Sequence, residues 1–268
     1  MKRLKKYIPF FRARMMEMFI YRGAVWLWLL VDVFQFTMMI FLWDSVYEYN
    51  DVINGFTFNE MLLYFLLTNL FFVFTQVEAV FAISEEIREG RISLYMVKPI
   101  SYKIRLYFEI LGRAIGILTL MIPIVFLTGL ALTLIFDIVW TITIWQILLA
   151  ILYVPFVFML MFEFSFLFGM VAIYTTNVFG LVIFMSVFTR VVSGQLIPLA
   201  LYPDALIGIV NYMPFKFLSY PPLILLNKIG TTDILNGLIV LIAWVIGFMI
   251  VNAIVYKLSI KKMVVFGG

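Results

Sequence analysis

The sequence predicts an all-α integral membrane protein with six transmembrane helices. An amphipathic interfacial helix precedes them, and a re-entrant or extracellular helical segment separates the fifth from the sixth. Three observations lead there. Of the 268 residues, 65% are hydrophobic and only 13% are charged, more apolar surface than a soluble domain of this size can hide. The apolar residues gather into six runs of about twenty, the length that crosses a hydrocarbon core. The basic residues cluster between alternate runs, the pattern that fixes orientation in a bilayer.

The amino-terminal region, 1–22, carries Lys2, Arg3, Lys5, Lys6, Arg12, Arg14 and Arg22. It is too long and basic for a secretory signal, and no small-residue cleavage site follows the first apolar run. Leu4, Ile8, Phe11, Met15, Met18 and Phe19 recur at three- and four-residue spacing. That period predicts a helix lying in the interface, basic face toward the headgroups, with its helical part beginning near Pro9.

The six spans are expected at 23–43, 61–83, 114–136, 145–168, 178–199 and 234–256. The loop after the first contains Glu48 and Asp51 and no Lys or Arg. The second delivers the chain into a charged elbow, 84–103. Pro123 is a candidate kink in the third, and Tyr174, Thr175, Thr176 and Asn177 form a brief polar return after the fourth. Segment 200–233, with Pro203, Pro214, Pro221 and Pro222, is too broken for an ordinary span and too apolar to be simply solvated.

Seven Lys or Arg residues lie in the amino-terminal region, six around the elbow and three at the carboxyl end, whereas the alternate side has only Lys216 and Lys228. Both termini and the elbow are therefore expected in the cytoplasm of a multi-pass protein of the cell membrane. The chain has no Cys and no His, which removes thiolate chemistry, the commonest metal ligand and the usual general base at neutral pH. Catalytic residues and metal ligands are accordingly expected to be none, and nothing implies nucleic acid.

Within the elbow, Gly90 is a natural helix stop and Pro99 a second, so at most a short helix fits between them. Ser101 offers a cap for the helix that follows. Such a cross-piece would present Leu94, Tyr95 and Met96 beside Arg88, Arg91 and Lys98, a mixture suited to a partner's groove; an ordinary charged loop is the alternative.

The run Glu-Ile-Arg-Glu-Gly-Arg-Ile-Ser-Leu-Tyr-Met-Val-Lys-Pro, Glu86 to Pro99, resembles the loop after the second span in permeases of type-2 ATP-binding cassette (ABC) exporters. The basic helix before the first span agrees with that resemblance. So does the Pro-studded segment from Ser193-Gly194-Gln195 through Met213-Pro214-Phe215. In particular the chain resembles the subgroup proposed to export drugs or other amphiphiles. The resemblance implies a second permease subunit, identical or related, and separate cytoplasmic ABC ATPase subunits docked on the elbow. It assigns Glu85, Glu86, Arg88, Glu89 and Arg91, with Leu94, Tyr95 and Lys98, to coupling. The chain contains no Gly-Lys pair and so no phosphate-cradling loop. No cofactor is expected on it, with ATP and Mg held by the partner ATPase.

Ionisable residues inside a span need a partner, a wet cavity or an interface. Asp32 and Arg190 lie at depths differing by only about 5 Å, at 1.5 Å per residue, and can pair within or between subunits. Glu163 sits about 12 Å from Arg190 in depth and is expected near the cytoplasmic interface; Glu78 is expected to bridge to the elbow. Ser186, Thr189, Arg190 and Ser193 share one helical face, and Thr68, Asn69, Thr75 and Gln76 repeat after seven residues on another. Together with Asp32 and Gln35 these stripes either line a pathway or pack helices together. Arg105, Glu109 and Arg113 form a four-spaced ladder, and Gly112 and Gly116 a small-residue contact face, both read as structural.

The leading function is thus the permease of an ATP-driven exporter that moves an amphiphilic or hydrophobic compound. An ion- or proton-coupled carrier using Asp32 and Arg190 is the alternative. A lipid-acting membrane enzyme is disfavoured, because Asp32, Glu78 and Glu163 lie at different depths.

Overall fold

A computed structural model describes residues 4–76, 79–175 and 178–266. A 3-10 turn leads into α1 (Ile8–Ile20), with Pro9 in its first turn, where a missing N–H costs no helical bond. Helix α2 (Arg22–Tyr47) follows after a single residue. A small hairpin comes next, β1 (Val52–Ile53) antiparallel to β2 (Phe56–Thr57). Its turn residues Asn54 and Gly55 both have positive φ, 46° and 81°, as a two-residue turn matched to strand twist requires. Thr57 and Glu60 then exchange capping bonds at the start of α3 (Phe58–Phe72).

The elbow is built from α4 (Ala79–Arg88), the six-residue α5 (Arg91–Met96) and the start of α6 (Tyr102–Phe136). Helix α7 (Ile144–Gly169) opens with a Thr143–Gln146 capping box. After α8 (Phe179–Ser193), short helices α9 (Asp204–Val210) and α10 (Tyr220–Leu225) lead to the long α11 (Thr231–Phe266).

Helix α7 is the axis of the molecule. Over half of its apolar stretch, 56%, is buried, against 11% for α2, 22% for α6 and 17% for α11. Helices α4, α10 and α11 pack on it, and Leu160 to Phe166 are buried without interruption. The outer helices turn Leu27, Phe41, Ile135 and Ile239 outward, as helices apolar on all sides do in a membrane.

Among the described residues, four helices are long and apolar enough to cross a membrane: those over Leu30–Tyr47, Tyr102–Phe136, Ile144–Ala172 and Thr231–Ser259. At the places of the second and fifth expected spans stand α3 and α8, apolar helices of 15 residues each, about 22 Å long at 1.5 Å per residue. Helix α3 ends at Phe72 in a buried turn whose Phe74, Thr75 and Gln76 amides donate back to Phe71 and Phe72. Irregular backbone at such a depth is tolerable because it is enclosed by protein and satisfied internally. Helix α8 ends where Gly194 takes a φ of 79°.

Helix α1 lies along the first half of α6 and runs in the same direction. The Ser101 amide donates to the Tyr7 hydroxyl at 2.9 Å, and the Lys6 ammonium to the Pro99 carbonyl at 2.7 Å. Farther along, a Cβ at Gly112 would collide with the Phe11 backbone, and one at Gly116 would sit 2.9 Å from Met18 Cγ. One face of the expected interfacial helix is therefore committed to α6 rather than to headgroups. Within the Pro-rich segment, residues 214–225 are mostly buried, with Phe215 edge-on to Phe164 and Phe188 at 4.8 and 5.6 Å.

Candidate functional site: a locked elbow and two adjoining cavities

The elbow turns on Gly90, whose φ of 71° is open to glycine at no steric cost. Ser101 caps α6 by accepting from the Ile104 amide. Between these breaks α5 is held from beneath by Arg105, which is fully buried. Its Nη1 donates to both oxygens of Glu109 and its Nη2 to both oxygens of Glu86, all at 2.8 Å. The guanidinium carbon lies 3.6 Å from the centre of the Tyr95 ring and 5.0 Å from that of Tyr102. A planar cation can serve two carboxylates at its edge and aromatic rings on its faces at once. One side chain thereby joins the end of α4, the cross-piece α5 and the base of α6.

The outer face of the elbow is different. Glu85, Arg88, Glu89, Leu94, Val97 and Lys98 are exposed. Arg91 pairs with Glu89 and, at 3.9 Å, with Glu85. Lys98 lies 5.1 Å over the Tyr95 ring. The side chains of Ser93 and Met96 lie outside the described set.

Two cavities adjoin at the break after α3. The first, between α2, α3 and the end of α8, has Asp32, Gln35, Thr68, Asn69, Arg190 and Gln195 in its walls. The second has Thr75, Gln76, Ser165, Ser186 and Thr189, with Met161 and Met185 among its apolar walls. Phe72 belongs to both, and the Arg190 guanidinium lies 4.4 Å over its ring. Gln195 of the first cavity donates to the Thr75 hydroxyl of the second at 2.9 Å. Asp32 and Arg190 are within reach of each other's charge, but the ion pairs of the described residues do not include one between them.

A family model described as "ABC-2 family transporter protein" matches residues 33–267. The chain belongs to the ABC-2 transporter family. No curated protein matches it significantly. An ABC-2 permease is a multi-pass membrane subunit, generally non-catalytic, whose partner is an ABC ATPase on a separate subunit.

In this ABC-2 permease the coupling residues expected from sequence divide in two. Glu86 is buried against Arg105 and Tyr95 is half-buried over it, so neither lies on the outer face. Ala79, Val80, Ile83 and Glu86 form the buried stripe of α4, a period that marks Glu86 as internal. The seven-residue stripe through Thr68, Asn69, Thr75 and Gln76 is corrected. Thr75 and Gln76 lie beyond the end of α3, so no single helical face carries all four, and the pairs enter different cavities. The second stripe also divides: Ser186 and Thr189 face the second cavity, Arg190 the first. Ser193 lines neither; it is fully buried and donates to the Arg190 carbonyl.

Glu163 pairs with Lys103, the last residue of the expected coupling segment. Glu163 is 2% exposed, and its carboxylate accepts from Lys103 and from Asn252, each at 2.6 Å, tying α6, α7 and α11 together. Glu78, Thr176 and Asn177 lie outside the described residues. Gln195, Asn252 and Phe72 are additions that sequence reasoning missed. An amide inside the apolar run of α11 is the signal for Asn252, whereas Phe72 is one of many and carries none.

Proposed function

We propose that this ABC-2 permease is the membrane half of an ATP-driven exporter, moving an amphiphilic or hydrophobic compound outward. ATP and Mg are held by ATPase subunits docked on the cytoplasmic face of the elbow, and a second permease, identical or related, completes the pathway. The observation that carries this reading is the two-sided elbow: exposed charges at the end of α4 and just after α5 backed by a fully buried, doubly paired Arg105. A push on such a cross-piece is transmitted to α4 and α6 rather than absorbed locally, because the pair cannot loosen without stranding buried charge. Both termini share the elbow's side, as the distribution of basic residues implies.

The polar cavities beside the broken α3 support a route through the subunit. Export should require the separate ATPase and cease on ATP depletion in inverted vesicles. The cavity shared by Asp32 and Arg190 favours a second reading, an ion- or proton-coupled carrier. Transport that follows a proton gradient and survives ATP depletion would establish that reading and remove the first.

A further inference from the structure

The first cavity faces two opposite charges across one space without joining them. Asp32 comes from α2 and Arg190 from α8, and no direct ion pair links them among the described residues. Phe72 covers one face of the guanidinium. Stacking uses the face and leaves the in-plane N–H donors for an acceptor. One of them is idle: Arg190 Nε is buried with no hydrogen-bond partner among the described residues, and a cationic group in that state is open to an acceptor, best an anionic one. The Asp32 carboxylate stands in the same wall as Gln35, one helical turn away, and calls for a cation. The remaining wall has a polar part, Thr68, Asn69 and Gln195, and an apolar part, Phe36, Met39, Phe65 and Leu196.

A ligand with a single charge meets one group that attracts it and one that repels it. A ligand with both charges compensates both groups, and opposing charges thus select against singly charged competitors. We propose that the cavity between α2, α3 and α8 binds a zwitterionic amphiphile, its anionic group on Arg190, its cationic group on Asp32, and its chain against the Phe36 and Phe65 wall. This names a substrate class for the exporter and rests on that reading for transport, though the binding itself does not.

The test uses the full chain purified in maltoside detergent without nucleotide. Three probes of equal chain length are titrated below their critical micelle concentrations: dodecylphosphocholine, dodecyl phosphate and dodecyltrimethylammonium. Free phosphocholine is the fourth. Dodecylphosphocholine should bind at least about tenfold more tightly than either singly charged amphiphile, the least that one charged hydrogen bond is worth. Free phosphocholine should bind much more weakly. Asp32→Asn should relieve the discrimination against dodecyl phosphate, and Arg190→Gln that against dodecyltrimethylammonium. Such opposite shifts in preference do not arise from partial misfolding.

Equal binding of the three amphiphiles by the unaltered chain would overturn the proposal, as would equal binding of free phosphocholine. So would unchanged preferences in both variants. Any of these results would leave ATP dependence of transport intact, so failure here is distinguishable from failure of the exporter reading.

Discussion

Arg105 ties the elbow together, because two carboxylates converge on it inside the protein. Glu86 is 4% exposed and Glu109 8%. Removing the guanidinium leaves both buried without their cation, and breaking a buried pair in this way costs about 3–5 kcal/mol. Arg105→Ala should therefore lower the thermal midpoint of the purified permease sharply. Arg105→Lys should recover only part, since one ammonium cannot pair edge-on with two carboxylates. A second charge centre lies at the opposite end of α3. Lys228 reaches Glu60 at 2.6 Å and the Gly55 carbonyl at 2.7 Å. Burial works against the Glu60 charge, but the bonds from Lys228 and from the Thr57 amide outweigh it and hold the carboxyl below its ordinary value. A depressed carboxyl stabilises the fold above its unfolded pKa of about 4.3, and that contribution is lost as pH falls through the folded value. The difference in thermal midpoint between the unaltered chain and Lys228→Met should thus be full at neutral pH and shrink on acidification below about pH 4.

At the scale of elements, the packing of α1 on α6 depends on a missing side chain. At Gly112 any Cβ meets the Phe11 backbone, which cannot swing aside as a flexible side chain can. Gly112→Leu should displace α1, cost about 1–3 kcal/mol as overpacking does, and speed tryptic cleavage at the exposed Arg12. Gly23→Leu, with nothing near it, should do neither. Such contacts mark the boundary of what the sequence made legible. The breaks at Gly90 and Pro99 and the cap at Ser101 were readable because each acts on its own stretch of backbone. Glu86 and Arg105 lie nineteen residues apart, and only the turn of the chain through α5 makes them partners. The end of α3 at Phe72 was invisible for another reason: residues 70–76 contain neither Gly nor Pro, and the turn is held by its burial. Asn54-Gly55 between apolar neighbours is a local hairpin signal, legible because it too acts on its own stretch of backbone.

For the whole molecule, the proposed docking of the ATPase on the elbow is separable from folding, because the charged outer face and the buried lock use different residues. Glu85 and Arg88 are exposed, and neither takes part in the Arg105 cluster. Reversing both charges alters what a partner meets while leaving the lock in place, and exposed substitutions of this kind usually change stability by less than about 0.5 kcal/mol. The double variant Glu85→Lys with Arg88→Glu should therefore keep its thermal midpoint and lose its ATPase. The loss should be seen as an ATPase band absent from the purified complex and as ATP-driven transport reduced at least about tenfold, the change expected when even one charged contact is broken. Arg105→Ala gives the converse pattern, in which the thermal midpoint falls first and docking only with it. Retention of the ATPase by the charge-reversed variant would move the coupling surface away from α4 and α5. A midpoint that fell with it would mean that the outer face helps hold the elbow together.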